Sequence, residues 1–152
     1  MAGYGLRRAC TCGAVMSTPV FVLVSMAGGL GAGSRFAVDS IVSRAITART
    51  TGNIPWGTTT VNLTGSFLLG LLLGLAASIA LPRGWQMTAG SGFLGGYTTF
   101  SAASVEIVQL LRNRRWAAGA IIGLGSIVGA TAVAALGMWT GGWIGVEMCG
   151  AS

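Results

Sequence analysis

Long apolar runs separated by a few charged residues are the dominant pattern along this chain. Four uncharged stretches lie between the charged positions, and each is at least as long as the roughly 20 apolar residues that a helix needs to cross a bilayer. The pattern therefore predicts four transmembrane helices, near 18–42, 56–80, 87–111 and 117–139. Arginines and a proline mark the predicted turns between these helices.

The composition argues against a water-soluble protein. Nine basic and three acidic residues make up only 8% of the chain, and 53% of its residues are hydrophobic. Soluble domains contain roughly 25% charged residues, and the mean hydropathy here is +0.75. We therefore predict an all-α membrane protein of the cell membrane, with a single four-helix domain over residues 18–140.

The net charge of +6 raises the question of nucleic-acid binding. The arginines flank the hydrophobic segments and do not form a basic stripe with aromatic residues between them, so lipid headgroups are the expected contacts. Arginines at the turns also bear on orientation. With the N-terminus inside, three arginines lie on the inner side and five on the outer side, and without Arg7 and Arg8 the ratio is one to five. This bias leaves the orientation open.

The two ends of the chain are expected to lie outside the membrane domain. Residues 1–17 form an N-terminal extension, which we expect to be disordered, and residues 141–152 form a C-terminal tail. Arg7 and Arg8 before an apolar run resemble a signal peptide, but that run is long and carries a motif described below. The three cysteines lie in these tails, and their odd number and the absence of histidine indicate no metal site: Cys10, Cys12 and Cys149.

Polar side chains form a narrow stripe on the second predicted helix. Asn62 lies inside the span, where an unpaired amide is costly, and Ser66 follows one helical turn later, with Thr59 one turn before. One interpretation is a hydrogen bond between helices that stabilises a dimer. The other is a set of donors that lines an anion pathway.

The third predicted helix contains four glycines followed by hydroxyl residues, over Gly90 to Ser101. Such a sequence is a poor continuous helix, so we predict a break. Backbone carbonyls freed inside a bilayer require partners, and broken helices of this kind are typical of ion sites. The alternative is a flexible kink without an ion.

Two further side chains have both a packing and a functional interpretation. Phe100 follows the hydroxyl residues, and the positive edge of its ring can stabilise a small anion without holding it strongly. Arg35 lies toward the end of the first helix with Asp39 one turn later. It is either a structural anchor or a charge that draws anions into a vestibule.

Three motifs together resemble the fluoride channel family known as CrcB or Fluc. They are GGLGAGSRF at 28–36, GTTTVNLTGSFLLG at 57–70 and GFLGGYTTFS at 92–101. Their order and spacing on three consecutive predicted helices make the resemblance specific, and it covers about residues 18–140. It implies a passive fluoride-selective channel that exports fluoride from the cytoplasm and relieves fluoride toxicity.

The resemblance also implies an assembly and a set of site residues. Two antiparallel subunits would form a dual-topology dimer with two narrow pores and one structural sodium ion at the interface. Gly95 and Thr98 would supply backbone carbonyls to sodium, and Arg35 matches an arginine of the first helix. The predicted fluoride pore contains Asn62, Phe100, Thr99, Ser101 and Ser126.

The chain departs from the family pattern directly after Phe100. The family usually continues Phe-Ser-Thr-Phe-Ser-x-Glu, but residues 100–106 read FSAASVE, so Ala102 and Ala103 replace a threonine and a second aromatic residue. Three outcomes are open: a working channel with one ring per subunit, a weakened channel, or a weakly conducting or non-conducting subunit of a heterodimer whose partner, a paralogue, carries the second ring.

Two other classes fit the sequence less well. Small multidrug exporters also use four helices in an antiparallel dimer, but they rely on a carboxylate deep in the first helix, and residues 18–38 contain no acid. Asp39 and Glu106 lie near helix ends. An enzyme is not expected, because the chain lacks histidine, a phosphate-binding loop after a strand and paired carboxylates in one span.

Overall fold

The computed structural model describes residues 17–47, 56–79 and 81–150, and all of its regular elements are helices. In chain order these are α1 (Thr18–Thr47), α2 (Trp56–Ser78), α3 (Arg83–Gln86), a π-helix (Met87–Leu94), α4 (Gly95–Tyr97), α5 (Phe100–Arg112) and α6 (Trp116–Gly150). The predicted all-α class is therefore confirmed.

Three of the helices are long and apolar enough to cross a membrane. They are Thr18–Ile46, Trp56–Ser78 and Trp116–Met148. The third predicted span, near 87–111, is divided among the π-helix, α4 and α5, and α3 directly precedes it, so the count of four spans stays a prediction. Most large apolar side chains are exposed in the single chain, as a surface that faces lipid or a second subunit requires.

α2 and α6 form the most extensive helix pair of the molecule. Glycines on both helices lie against the backbone of the other: a Cβ atom at Gly70 would overlap the carbonyl oxygen of Ala134, and one at Gly137 would overlap that of Phe67. Without a hydrophobic driving force between helices in lipid, small residues that permit such close approach determine where the helices pack.

The last helix extends beyond the C-terminal end that the apolar pattern predicts for it. The prediction ends this helix near 139 and assigns 141–152 to a tail, whereas α6 runs to Gly150. Contacts with the end of α2 explain the difference, because Ser78 Oγ donates to the carbonyl of Gly142 at 3.1 Å and Gly145 lies against Ser78. α1 likewise runs to Thr47, past the predicted end at 42. The extension over 1–16 with Cys10 and Cys12, and the side chain of Cys149, lie outside the described residues.

α1 packs against the π-helix and α4 through the glycines of the first and third motifs. A Cβ atom at Gly31 would overlap the carbonyl oxygen of Phe93, and one at Gly96 would overlap that of Gly28. This contact fixes the segment that leads into the predicted break. Only Gly at these positions allows the two backbones to lie so close together.

We expect Gly31→Ala to lower the melting temperature of the purified protein. The added methyl group must displace the backbone of Phe93, and overpacking of this kind costs about 1–3 kcal/mol. Gly33→Ala is the matched control, because it makes the same change on the same helix, where a Cβ atom meets nothing within 4 Å. Thermal unfolding followed by tryptophan fluorescence measures both variants. Equal melting temperatures for the two variants would show that this contact does not determine stability.

Candidate functional site

The backbone leaves helical geometry at Thr98 and Thr99. α4 ends at Tyr97, Thr98 has φ −79° and ψ 153°, and Thr99 has φ −151° and ψ 126°. α5 then begins at Phe100. The eight-residue π-helix before α4 contains Gly90 and Gly92, and π-helical turns are frequent at functional sites. The glycines and hydroxyl residues singled out from the sequence thus surround the two non-helical residues between α4 and α5, which we call the interruption.

Asn62 on α2 pairs with the backbone of Thr99 at this interruption. Its Nδ2 donates to the Thr99 carbonyl at 2.9 Å, and the Thr99 N–H donates to Oδ1 at 2.9 Å. This reciprocal pair fixes the orientation of the amide, since only the oxygen can accept from the N–H. The second N–H of Nδ2 remains available to a ligand.

The side chain of Thr99 caps the N-terminus of α5. Its Oγ1 accepts from the Ala102 N–H at 3.4 Å and lies 3.1 Å from Ser101 Oγ. Capping by threonine satisfies one of the free N–H groups at a helix start. A new helix therefore begins directly after Thr99. The side chains of Thr99 and Ser101 are held together at its start.

An open groove beside the interruption brings together most of the predicted pore residues. It has a volume of about 390 Å³ and lies between α2, α5 and α6. Its polar or aromatic lining residues are Asn62, Ser66, Thr98, Thr99, Phe100, Ser104 and Ser126. We call it the Asn62 groove. Thr59, the third member of the polar stripe predicted on α2, is not among its lining residues.

The ring of Phe100 is 82% exposed in the single chain. It borders the Asn62 groove without being packed into the core, so its edge is free to meet a ligand or a second subunit. Ala103 lines the same groove, about one turn later on α5. The position where the family usually has a second aromatic residue is thus on the groove wall, and here it is occupied by a methyl group.

Ser101 and Arg35 line a different groove, on the other side of α5. This groove has a volume of about 410 Å³ and is lined by Arg35, Ser101, Ala102, Val105, Glu106 and Gln109. Ser101 reaches the Asn62 groove only through its contact with Thr99 Oγ1. Within one chain, Ser101 and Arg35 are therefore separated from the other predicted pore residues.

A contact between Thr58 and Glu106 is not predicted from the sequence. Thr58 Oγ1 donates to Glu106 Oε1 at 2.7 Å, and Thr58 is only 5% exposed. Nearby, Asp39 accepts from Ser43 Oγ at 3.4 Å and lies against Gly57 at the start of α2. The presence of Thr58 in the second motif is the only sequence signal that points to this contact, because the two residues lie far apart along the chain.

Gly95 and Thr98, the predicted sodium ligands, lie at the two ends of α4. Gly95 begins α4 and is exposed, and Thr98 follows its last residue. Thr98 donates through both its N–H and its Oγ1 to the Leu94 carbonyl, at 2.9 and 3.0 Å. Its own carbonyl is turned out of the helical direction by ψ of 153°.

Comparison with known proteins gives a consistent result over most of the chain. Residues 22–138 match the model of the family described as "CrcB-like protein, Camphor Resistance (CrcB)". A protein named fluoride-specific ion channel FluC 1 from Leifsonia xyli subsp. xyli is 45% identical over 126 residues, covering 82% of this chain and 89% of the relative.

Other relatives have similar names. Fluoride-specific ion channel FluC 2 of Mycobacterium bovis is 40% identical over 129 residues, which cover 85% of this chain and 96% of the relative. FluC 2 of Nitrobacter hamburgensis is 37% identical over 124 residues, covering 80% and 92%.

Proposed function

Since this chain belongs to the CrcB family, as its three motifs predict, we propose that it is a passive fluoride-selective channel that exports fluoride from the cytoplasm. The family is one of ion channels and not of enzymes. With its apolar helices, the chain is a multi-pass protein of the cell membrane. Export down the electrochemical gradient would relieve fluoride toxicity.

The Asn62 groove is the observation that carries this proposal. An amide, several hydroxyl groups and an exposed aromatic ring line one groove at an interruption in a helix. Among the residues that the structure describes, no lysine or arginine lines it, so an anion meets donors without a full positive charge. A channel must bind its ion strongly enough for entry and weakly enough for release, and such donors meet both conditions.

Fluoride is small and strongly hydrated, so the pore must replace its lost water with closely spaced donors. The free N–H of Asn62 Nδ2 and the hydroxyls of Ser66 and Ser126 are the groups that can donate in the groove. The positive edge of Phe100 adds a weak attraction, and a larger anion gains less from it because it cannot approach the edge as closely. Thr99 orients this edge by capping α5.

A second subunit would close the groove. We propose an antiparallel, dual-topology dimer in which α3 to α5, over residues 83–112, form the third of four spans with a break at Thr98 and Thr99. The open side of the groove and the 82% exposure of Phe100 support this assembly, because an aromatic ring beside a polar groove is expected to gain a partner. The second subunit would bring its own Phe100.

The backbone at the break fits a structural sodium ion. Carbonyl oxygens suit hard cations, and those of Gly95 and Thr98 lie where the helix ends, with Thr98 in extended geometry. Bound there, sodium would hold the interrupted helices of the two subunits together. Fluoride conduction itself would depend on the residues of the Asn62 groove.

The position of Ala103 favours a second candidate function. Because Ala103 lines the same groove as Phe100, its small side chain leaves each pore of a homodimer with fewer rings than the family pattern provides. The chain would then be a weakly conducting or non-conducting subunit of a heterodimer with a paralogue. The possible arginine bias of one to five also suits a subunit with a fixed orientation.

We expect Ala103→Phe to raise fluoride flux if the missing ring limits conduction. The new ring would extend into the Asn62 groove and add a second positive edge, with an expected gain of severalfold. Ala102→Phe is the matched control, because Ala102 lines the groove on the other side of α5. Efflux from liposomes measures both. An unchanged flux in Ala103→Phe would show that the single ring per subunit does not limit the pore.

Fluoride efflux from liposomes that contain only this purified chain tests the proposed function. A fluoride electrode follows the release, with chloride efflux as the control. Fast, fluoride-selective efflux establishes a homodimeric channel despite Ala103. A folded dimer without efflux would overturn the homodimeric channel and favour the heterodimer.

A further inference from the structure

The N–H of Thr99 is the first backbone donor after the helical hydrogen bonds of α4 end. Thr98 still donates to the carbonyl of Leu94, four residues earlier, at 2.9 Å. In a continuous helix Thr99 would donate in the same way to the carbonyl of Gly95. It donates instead to Oδ1 of Asn62 at 2.9 Å.

Asn62 also satisfies the other backbone group of Thr99. Its Nδ2 donates to the Thr99 carbonyl at 2.9 Å. An unpaired backbone group inside a bilayer costs several kcal/mol, so this side chain makes the extended conformation of Thr99 tolerable. Without it, the Thr99 N–H would gain most by returning to Gly95 and restoring the helix.

We infer that Asn62 is a positioning residue for a cation site: its Oδ1 withdraws the Thr99 N–H from Gly95 and thereby leaves the Gly95 carbonyl free to bind sodium. The identity of the cation rests on the proposed function. One side chain thus has two separate roles. Its oxygen shapes the break, and the same side chain lines the Asn62 groove.

The exposure of Gly95 supports this assignment. Gly95 is exposed in the single chain, and a Cβ atom at this position would meet only the Gly90 carbonyl oxygen, at 3.8 Å. The carbonyl freed by Asn62 therefore belongs to a residue that a second subunit can approach closely. If Asn62 only lined the groove, its replacement would change fluoride flux and leave the cation site intact.

Sodium-dependent thermal stability separates these two interpretations. The full-length protein in detergent is melted in sodium chloride and in N-methylglucamine chloride at the same ionic strength. Asn62→Leu keeps a similar volume without an acceptor, and Asn62→Asp keeps an acceptor for the Thr99 N–H. Ser126→Ala is the matched control, because it alters the same groove without a contact to Thr99.

We expect sodium to raise the melting temperature of the unsubstituted protein, Asn62→Asp and Ser126→Ala by several degrees, and to raise that of Asn62→Leu little or not at all. A full sodium shift in Asn62→Leu, or its loss in Asn62→Asp, would overturn the inference. Gel filtration verifies a folded dimer for each variant, and Asn62→Ala replaces Asn62→Leu if the latter does not fold.

Fluoride efflux of the unsubstituted protein is measured in parallel. A failure of this inference can then be distinguished from a failure of the proposed function. Fluoride efflux without any sodium shift would overturn the inference and leave the channel function intact. A sodium shift that Asn62→Leu abolishes, in a protein without efflux, would support the positioning role and overturn the homodimeric channel.

Discussion

Replacing Asn62 by aspartate is expected to reduce fluoride efflux by at least about a hundredfold. The carboxylate can still accept from the Thr99 N–H, but it removes the free N–H from the groove and places a negative charge where the anion passes. Two like charges 4 Å apart at an effective dielectric constant of about 20 repel by about 4 kcal/mol. Each 1.4 kcal/mol corresponds to about a tenfold change. Efflux from liposomes at equal protein density measures the effect.

Asn113→Asp provides the control for this substitution. It makes the same chemical change at the exposed turn after α5, away from the groove, and we expect it to conduct like the unsubstituted protein. If Asn62→Asp conducts at a similar rate to Asn113→Asp, the anion does not pass Asn62, and the groove is not the pore.

Phe100→Ile is expected to reduce fluoride efflux by about two- to tenfold. Isoleucine keeps the side chain apolar but removes the positive ring edge. Contacts between the edge of one aromatic ring and the face of another contribute about 0.5–1.5 kcal/mol, and we expect the contact with an anion to be of that order. In a homodimer without a second aromatic residue at position 103, Phe100 is the one aromatic residue within the described ranges that lines the groove. When the Phe100 ring is removed, the alanine at position 103 therefore cannot compensate for it. Efflux with fluoride and with chloride measures both rate and selectivity.

Phe21→Ile is the matched control, since Phe21 is an exposed aromatic residue of α1 that lies outside the groove. We expect it to leave efflux unchanged. Efflux in Phe100→Ile equal to that in Phe21→Ile would contradict a role for the ring edge. Because Phe100 is 82% exposed in the single chain, its replacement should cost the fold of that chain little.

The two substitutions distinguish the polar from the aromatic part of the pathway. A large loss in Asn62→Asp with little change in Phe100→Ile would assign selectivity to the amide and the hydroxyl groups. Losses in both would show that donors and ring edge act on the same ion. A selective loss of fluoride over chloride in Phe100→Ile would identify the ring as the group that discriminates between the two anions.

The helical class could be predicted from the sequence because the apolar runs are long and the charges are few. Such runs leave no alternative to helices in a membrane, where every backbone group needs an internal partner. The residues at which the helices end could not be predicted equally well. α6 continues to Gly150 because Gly141 and Gly145 lie against α2, and local sequence carries no information on a contact made by a distant helix.

The candidate site, too, could be predicted from the sequence only in part. Asn62, Thr99 and Phe100 could be named from motifs and Ser126 from the family resemblance, and the structure places all four on one groove. Their roles in fluoride passage stay predictions. Ser101 and Arg35 were named in the same way, yet they line a groove on the other side of α5. Ser101 does so because neighbours along a helix point in different directions, and Arg35 reaches this groove from α1.

The sequence by itself determined the class of protein, the family and the residues that we expect to form an ion pathway. Hydrophobic length and the spacing of three motifs carry that information, because both are properties of the linear chain. Only the tertiary structure decided that Asn62 binds the backbone of Thr99, that Ala103 lines the groove of Phe100 and that Glu106 accepts from Thr58. The contacts of Asn62 and Glu106 join residues far apart in the chain, and the groove that Ala103 lines lies between helices that are distant in sequence. Glycines let α2 approach α6 and let α1 approach the π-helix and α4.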